Sequence, residues 1–296
     1  MQKGIYCILA IFALSLWVGC NNDDDDNAPN PEQQAIDEDL IQGYISTNNL
    51  NATSVGDGLY VVIEEEGTGA VPGASDFLAV HYEGFLLDGT KFDSSKDRKA
   101  VTVFPLSGVI QGWQRGIPQF KEGGLGQILI PSHLAYGSNP PPGIPANAVL
   151  VFEVEIVATG ASRDPVQRIA DDQSIQEYIS ANNLSTQMDQ DGLYFTVDTE
   201  GTGNNPLSDE TVTVHYEGFL LNGTKFDSSR DRGTPATFSL TEVIQGWQMG
   251  IPLFQEGGRG KLLIPSHLAY GDRSPSNLIP AYSVLVFDVE LISVAN

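Results

Sequence analysis

Residues able to do chemistry are few in this sequence, and they come in pairs. The four histidines fall on two repeated positions, His81 with His215 and His133 with His267. They form no ligand cluster, and strand and loop roles suit them. The two cysteines, Cys7 and Cys20, both lie in the first twenty residues, so the rest of the chain has no thiolate metal site and no disulfide framework. Gly123-Gly124-Leu125-Gly126 and Gly257-Gly258-Arg259-Gly260 are followed by no Lys-Ser/Thr and no long helix, so hairpin turns explain them better than a phosphate cradle. What stands out is apolar. Val109-Ile110-Gln111-Gly112-Trp113-Gln114-Arg115-Gly116-Ile117-Pro118 returns as Val243-Ile244-Gln245-Gly246-Trp247-Gln248-Met249-Gly250-Ile251-Pro252. Val109, Ile110, Trp113 and Ile117 recur at helical spacing, Gly112 puts no side chain beside the indole, and Pro118 can end a helix but not continue it. One or two turns of helix are too short to stand alone, so a sheet must lie under them with the tryptophan between.

The surrounding elements supply that sheet. His81-Tyr82-Glu83-Gly84-Phe85-Leu86-Leu87 recurs unchanged from His215, Gly89-Thr90-Lys91-Phe92-Asp93-Ser94-Ser95 from Gly223, and Ile130-Pro131-Ser132-His133-Leu134-Ala135-Tyr136-Gly137 from Ile264. One extra residue enters the second copy after Gly271. A single pair at so long a period indicates two domains rather than a solenoid. Each copy opens with a helix: Ile36, Leu40, Ile41, Tyr44 and Ile45 share one face, and Ile169, Ile175, Tyr178 and Ile179 form a less regular counterpart. These helices pack on their own domain or at the domain junction. Strands are expected around Leu59–Glu64, Phe77–Leu87, Lys91–Ser94, Val101–Phe104, Gln127–Ile130 and Ala148–Val157, paired antiparallel. The fold class is therefore α+β, with two domains. Each has an antiparallel, curled β-sheet wrapped over a short α-helix and is preceded by an N-terminal helix. The expected bounds are 35–160 with a core of about 56–158, and 161–296 with a core of about 190–294. Ala158 to Asp164, small and polar, reads as the linker.

Composition narrows the function classes. The chain has 296 residues and a net charge of -23, from 38 acidic against 15 basic residues. That balance argues against a nucleic-acid partner, which needs clustered Lys and Arg. Residues 1–19 read as a signal peptide: Lys3 begins it, and an apolar run from Gly4 to Gly19 is too short for a comfortable membrane span. Leu16-Trp17-Val18-Gly19-Cys20 resembles a bacterial lipobox, which implies lipidation at Cys20 and an N-terminal membrane anchor. An ordinary secretory signal or an uncleaved anchor is the alternative. Residues 20–34 read as an acidic, disordered tether, because Asp23 to Asp26 repel one another and nothing there can form a core. That acidic run resembles export signals of outer-face lipoproteins; a periplasm-facing anchor is the competing reading. Either places the protein outside the cytoplasm on a bacterial membrane, the outer one being expected.

Both halves resemble the FKBP-type peptidyl-prolyl cis–trans isomerase domain. The resemblance is carried by Val80-His81-Tyr82-Glu83-Gly84, Asp88-Gly89-Thr90-Lys91-Phe92-Asp93-Ser94-Ser95, Val109-Ile110-Gln111-Gly112-Trp113, Leu134-Ala135-Tyr136-Gly137 and Val149-Leu150-Val151-Phe152. It implies a pocket for X–Pro segments. Tyr82, Phe92, Asp93, Ile110, Trp113, Tyr136 and Phe152 would be its catalytic residues, and Val109 and Ile144 its substrate-binding ones. The second half would use Tyr216, Phe226, Asp227, Ile244, Trp247, Tyr270 and Phe287, with Val243 and Ile279. Arg98 and Arg232 match a family arginine that pairs with the pocket aspartate. No metal or cofactor is implied. The implied partners are proline-containing exported polypeptides, with weakly bound macrolides as further ligands. Taken singly, each aromatic could be plain core and Asp93 a turn residue bonded to backbone. The family often has phenylalanine where Thr102 and Ala236 stand, so one wall is thinner here. Ser138–Asn147, with Pro140-Pro141-Pro142, and Asp272–Tyr282, with Ser274-Pro275-Ser276-Asn277, overhang the pocket in the family and differ between the halves. The competing class is a holdase or interaction module that grips proline segments with little or no turnover in one or both halves.

Overall fold

The computed structural model describes residues 30–295. The signal segment, Cys20 and the acidic run Asp23 to Asp26 lie outside the described residues. Helix begins at Pro31, earlier than the expected end of the tether. Asn30 is extended, its Oδ1 accepts from the Glu32 N–H at 3.0 Å, and Pro31 occupies the first turn, where its missing N–H does no harm.

The first half runs α1 (Pro31–Thr47), β1 (Thr53–Gly56), β2 (Leu59–Glu65), β3 (Phe77–Leu86), β4 (Lys91–Ser94), β5 (Thr102–Pro105), α2 (Gln111–Gly116), β6 (Leu125–Ile130) and β7 (Leu150–Gly160). The second runs α3 (Arg163–Ala181), β8 (Gln187–Met188), β9 (Tyr194–Thr199), β10 (Thr211–Leu220), β11 (Lys225–Ser228), β12 (Ala236–Ser239), α4 (Gln245–Gly250), β13 (Arg259–Ile264) and β14 (Leu285–Ala295). Neither β1 nor β8 was expected from the pattern. The supposed linker shrinks to Ala161 and Ser162, because β7 continues to Gly160 and α3 starts at Arg163.

Each half forms a seven-stranded sheet, in the order β1-β2-β6-β7-β3-β4 with β5 also on β3, and β11-β10-β14-β13-β9-β8 with β12 also on β10. All pairs are antiparallel. The expectation of a curled sheet wrapped over the helix is overturned: the sheets are open. In the first, β1 is one edge, while β4 and β5 share the free side of β3. Glu83–Phe85 pair with β4 and Phe77–Val80 with β5, and among the described residues no ladder joins that edge to β1. The short helix lies on one face, not inside a closed wrap.

Helix α2 is six residues long, and Pro118 sits in the 3-10 turn that follows it, Ile117–Gln119. Val109 and Ile110 are extended rather than helical; the Ile110 carbonyl accepts from the Trp113 and Gln114 N–H groups at 3.0 and 3.1 Å and so starts the helix. The glycines serve the sheet rather than the indole. A Cβ on Gly112 would lie 2.3 Å from Ile130 Cγ2, and one on Gly116 would lie 2.8 Å from Ile128 Cγ2. Gly246 and Gly250 face Ile264 and Leu262 in the same way.

The leading helices dock through a repeated polar device. Asp37, fully buried, accepts from the Ser132 N–H at 2.8 Å, the Ser132 hydroxyl at 2.6 Å and Gln33 at 2.7 Å. Asp171 does the same with Ser266, at 2.7 and 2.6 Å, and with Gln167 at 2.8 Å. Burial raises the Asp171 pKa above the ordinary carboxylate value, against the pull of these hydrogen bonds. Beside this device pack Ile41, Tyr44 and Ile45 on α1, and Ile175, Tyr178 and Ile179 on α3. Ile36, Leu40 and Ile169 stay largely exposed, so the apolar stripe read from the sequence is wider than the face that is buried.

Helix α3 also covers the first half. Val166 and Ala170 pack with Ala79, Val101, Val103 and Ala158, and the Ser174 hydroxyl accepts from the Val101 N–H at 2.9 Å. His81 joins Ser95 through Nδ1 at 3.2 Å and Glu177 of α3 through Nε2 at 2.9 Å. Among the described residues no helix is long and apolar enough to cross a membrane.

Candidate active site

The sequence-predicted residues of the first half converge on one side of its sheet. Trp113, 3% exposed, stands on α2 with its ring edge-on to Tyr82 of β3 and Phe152 of β7, at centroid separations of 5.4 and 5.2 Å. Phe92 of β4 meets Phe152 edge-on at 5.5 Å. Such perpendicular contacts set the positive ring edge against the negative face of the next ring. Gly84 makes room for them, since a Cβ there would lie 2.6 Å from Phe92 and 2.9 Å from Phe152. Val109, Ile110, Tyr136 and Ile144 pack half-buried against the same cluster.

A polar corner adjoins the rings. The Tyr82 hydroxyl donates to Asp93 Oδ2 at 2.5 Å, and Arg98 donates to Asp93 Oδ1 at 2.6 Å and to the Tyr82 hydroxyl at 2.8 Å. The Ser94 N–H donates to Asp93 Oδ1 at 2.8 Å, so the turn role and the cluster role fall on the same carboxylate. Arg98 also reaches the Thr102 hydroxyl at 3.4 Å. Burial pushes the Tyr82 hydroxyl pKa far up, so Tyr82 stays a protonated donor across the physiological range.

The second half repeats this. Trp247, 4% exposed, meets Tyr216 and Phe287 edge-on at 5.2 Å each, and Phe226 meets Phe287 at 5.5 Å. Val243, Ile244 and Ile279 join the cluster. Asp227 accepts from Tyr216 and Arg232, and Arg232 donates to the Tyr216 hydroxyl at 2.9 Å. Burial acts to raise the Asp227 pKa, but the hydrogen bonds from Tyr216 and Arg232 and the Arg232 charge outweigh it and hold the carboxyl below its ordinary value. Ala236 offers Arg232 no hydroxyl where Thr102 offers one. Tyr136 is half-buried, whereas Tyr270 is 37% exposed; burial and then the nearby aspartate raise both hydroxyls.

Two further rings join the clusters beyond those expected from the sequence. Phe104 lies 5.9 Å from both Tyr82 and Trp113, and Phe238 lies 6.1 Å from Tyr216 and 5.6 Å from Trp247. Each is two residues beyond Thr102 or Ala236, hence on the same strand face, and that period of two was the signal available. Among the described residues no group of three or more His, Cys, Asp or Glu side chains could hold a metal ion.

The comparison with known proteins agrees with this geometry. The family profile described as FKBP-type peptidyl-prolyl cis-trans isomerase matches residues 69–157 and 203–292. The FKBP-type peptidyl-prolyl cis-trans isomerase FkpA of Aeromonas hydrophila is 43% identical over 142 residues, 47% of this chain and 52% of that protein. FK506-binding protein 1 of Debaryomyces hansenii is 53% identical over 98 residues, 32% of this chain and 88% of that protein. Human peptidyl-prolyl cis-trans isomerase FKBP10 is 33% identical over 226 residues, 75% of this chain and 34% of that protein. The chain thus spans about half the length of the first of these and a third of the last. With the family's profile matched twice, over more than half its length, this chain belongs to the FKBP-type peptidyl-prolyl cis-trans isomerases.

Proposed function

We propose that the chain is a prolyl isomerase with two pockets, acting on X–Pro bonds of exported proteins from a lipid anchor at Cys20. The duplicated cluster carries this reading: a buried tryptophan ringed by aromatics, with a Tyr–Asp–Arg corner beside it, in both halves. A prolyl amide resists rotation by about 18–20 kcal/mol because resonance keeps it planar. Twisting removes the resonance and much of the charge separation. An apolar pocket disfavours the planar amide more than the twisted one, which is differential binding of the transition state.

Trp113 is the floor under the proline ring, with Tyr82, Phe92, Phe104 and Phe152 as walls and Val109 and Ile144 at the rim. Among the described residues the backbone N–H groups of Ile110 and Ile244 have no backbone acceptor, which leaves them for a substrate carbonyl. Tyr136 and Tyr270 hold a second carbonyl. Asp93, held by Tyr82 and Arg98, faces the rotating one. Trp247, Tyr216, Phe226, Phe287, Val243, Ile279, Asp227 and Arg232 take the matching roles. The chemistry calls for no nucleophile. Macrolides that mimic a prolyl amide would compete for the same floor.

The test uses the chain without residues 1–19 and without lipid. It should speed cis–trans exchange of a short X–Pro peptide in proportion to protein concentration. A folded chain that binds the peptide without speeding exchange would replace this reading with that of a holdase. Retention of Cys20 in the membrane fraction, lost on Cys20→Ala, tests the anchor. Protease shaving of intact cells tests which face of the outer membrane the domains occupy.

A further inference from the structure

The loops over the two clusters begin alike and end differently. Each closes on a residue in the left-handed region: Asn147 at φ 56 in the first half and Tyr282 at φ 58 in the second. Their N–H groups donate to the Gly137 and Gly271 carbonyls at 2.8 and 2.7 Å, so both pin the loop base directly after Tyr136 of the first cluster or its more exposed counterpart Tyr270. Asparagine tolerates this conformation, but an aromatic side chain there is uncommon and strained. Something must offset the strain of Tyr282. Arg163 does: its guanidinium carbon lies 4.1 Å from the Tyr282 ring centroid.

Arg163 is itself held by the first half. It donates to the Val103 carbonyl of β5 at 3.3 Å, and it stands 5.8 Å from the Phe77 ring of β3. Val103 neighbours Phe104, a ring of the first cluster. Within the loop, Ser274 donates to the Ile279 carbonyl at 2.8 Å, and the Arg273 N–H donates to the Tyr270 carbonyl at 3.2 Å, so the base and the cluster residues move together. Asn147, by contrast, is exposed.

We infer that Arg163 is a positioning residue for the second pocket: anchored on β3 and β5 of the first half, it stacks on Tyr282 and sets the loop that carries Tyr270 and Ile279. This rests on the prolyl-isomerase reading and adds to it a dependence of the second pocket on the docking of the halves. The first loop has no such dependence, because its base ends in an asparagine suited to the turn.

Exchange catalysis of an X–Pro peptide is measured in two backgrounds: Asp93→Ala with Tyr136→Ala, where only the second pocket works, and Asp227→Ala with Tyr270→Ala, where only the first does. Arg163→Ala should raise KM about three- to tenfold in the first background, with kcat changed less, and under twofold in the second. Arg163→Lys, which keeps the cation, should recover part of the loss. Tyr282→Asn gives the second loop the base residue of the first, so with it in place Arg163→Ala should change KM under twofold in the first background; a loss as large as with Tyr282 present would overturn the inference. Equal losses in both backgrounds, or none in either, would overturn the inference. Amide hydrogen exchange in the otherwise unmutated chain gives an independent reading. Arg163→Ala should speed exchange in 272–282 and leave 138–147 unchanged; no change in 272–282 would overturn the inference even in a chain without isomerase activity, whose absence counts against the enzyme reading alone.

Discussion

Strands β3 and β10 hold the same seven residues from valine to leucine, yet they live in different surroundings. In β3, five consecutive residues from Leu78 to Tyr82 are buried; β10 alternates half-buried with buried from Thr211 to Phe219. The cause is α3. It covers Ala79, Val101, Val103 and Ala158 of the first half, while the matching positions of the second carry Thr213, Pro235, Thr237 and Ser293. Thr213 and Thr237 hydrogen-bond to each other at 3.0 Å on an exposed surface. His81 reaches Glu177 across the junction, whereas among the described residues His215 keeps only the side-chain contact to Ser229, at 3.0 Å. The cluster face of each sheet thus stays the same while the outer face follows whatever lies on it. A repeat alone does not tell which copy is covered; the polar or apolar choice at three of these four outward positions does.

A charge on the outer face should separate the two sheets most strongly. Ala79→Asp buries a carboxylate against Val166 and Ala170 and should cost at least about 3 kcal/mol in urea unfolding. Thr213→Asp, at the matching position, should cost no more than about 1 kcal/mol. Equal effects would mean that α3 does not cover the first half in solution. A smaller effect tests where the halves should agree. Asp37→Ala and Asp171→Ala each strand the same serine N–H and hydroxyl, and each should cost about 2–3 kcal/mol. Unequal losses would show that the helix dock is not a shared device.

The smallest expected effect concerns acid. The Asp227 pKa is lower in the folded state than its ordinary 3.8. The unfolded chain therefore binds its proton first as pH falls, so the stabilisation by this group is present above that value and is lost as pH drops through the folded one. Asp227→Asn should flatten the acid limb of thermal stability between about pH 5 and pH 2, without moving the neutral plateau by as much as Asp171→Ala does. An unchanged acid limb would mean that the Arg232 and Tyr216 contacts do not persist in solution.

Much of this was legible in the sequence because it repeats. The strands from Phe77, Lys91 and Gln127 lie close to where alternation put them, and the paired tryptophans stand where a short helix meets a sheet. The apolar and aromatic residues singled out in the first half share one cluster with Trp113. The rest had physical reasons to stay hidden. Phe104 and Phe238 follow small residues on the same strand face and were passed over in favour of those positions. Asp37 and Asp171 carry no signal of their own, because a carboxylate buried for the sake of a distant serine leaves no mark on helical periodicity. Val109 and Ile110 fit a helical stripe by spacing, yet the helix starts only after them. The sheet's openness depends on β4 and β5 sharing one side of β3, a pairing that alternation cannot specify. The double duty of α3 depends on how the halves dock.

The most direct test of the central claim, two equivalent pockets on differently covered sheets, is the prolyl-isomerase rate of four chains: unmodified, Asp93→Ala with Tyr136→Ala, Asp227→Ala with Tyr270→Ala, and all four substitutions together. Activity that survives in each double variant and disappears only in the fourfold one is the predicted result. Activity abolished by one pair alone would contradict it, leaving a single enzyme with a binding module beside it.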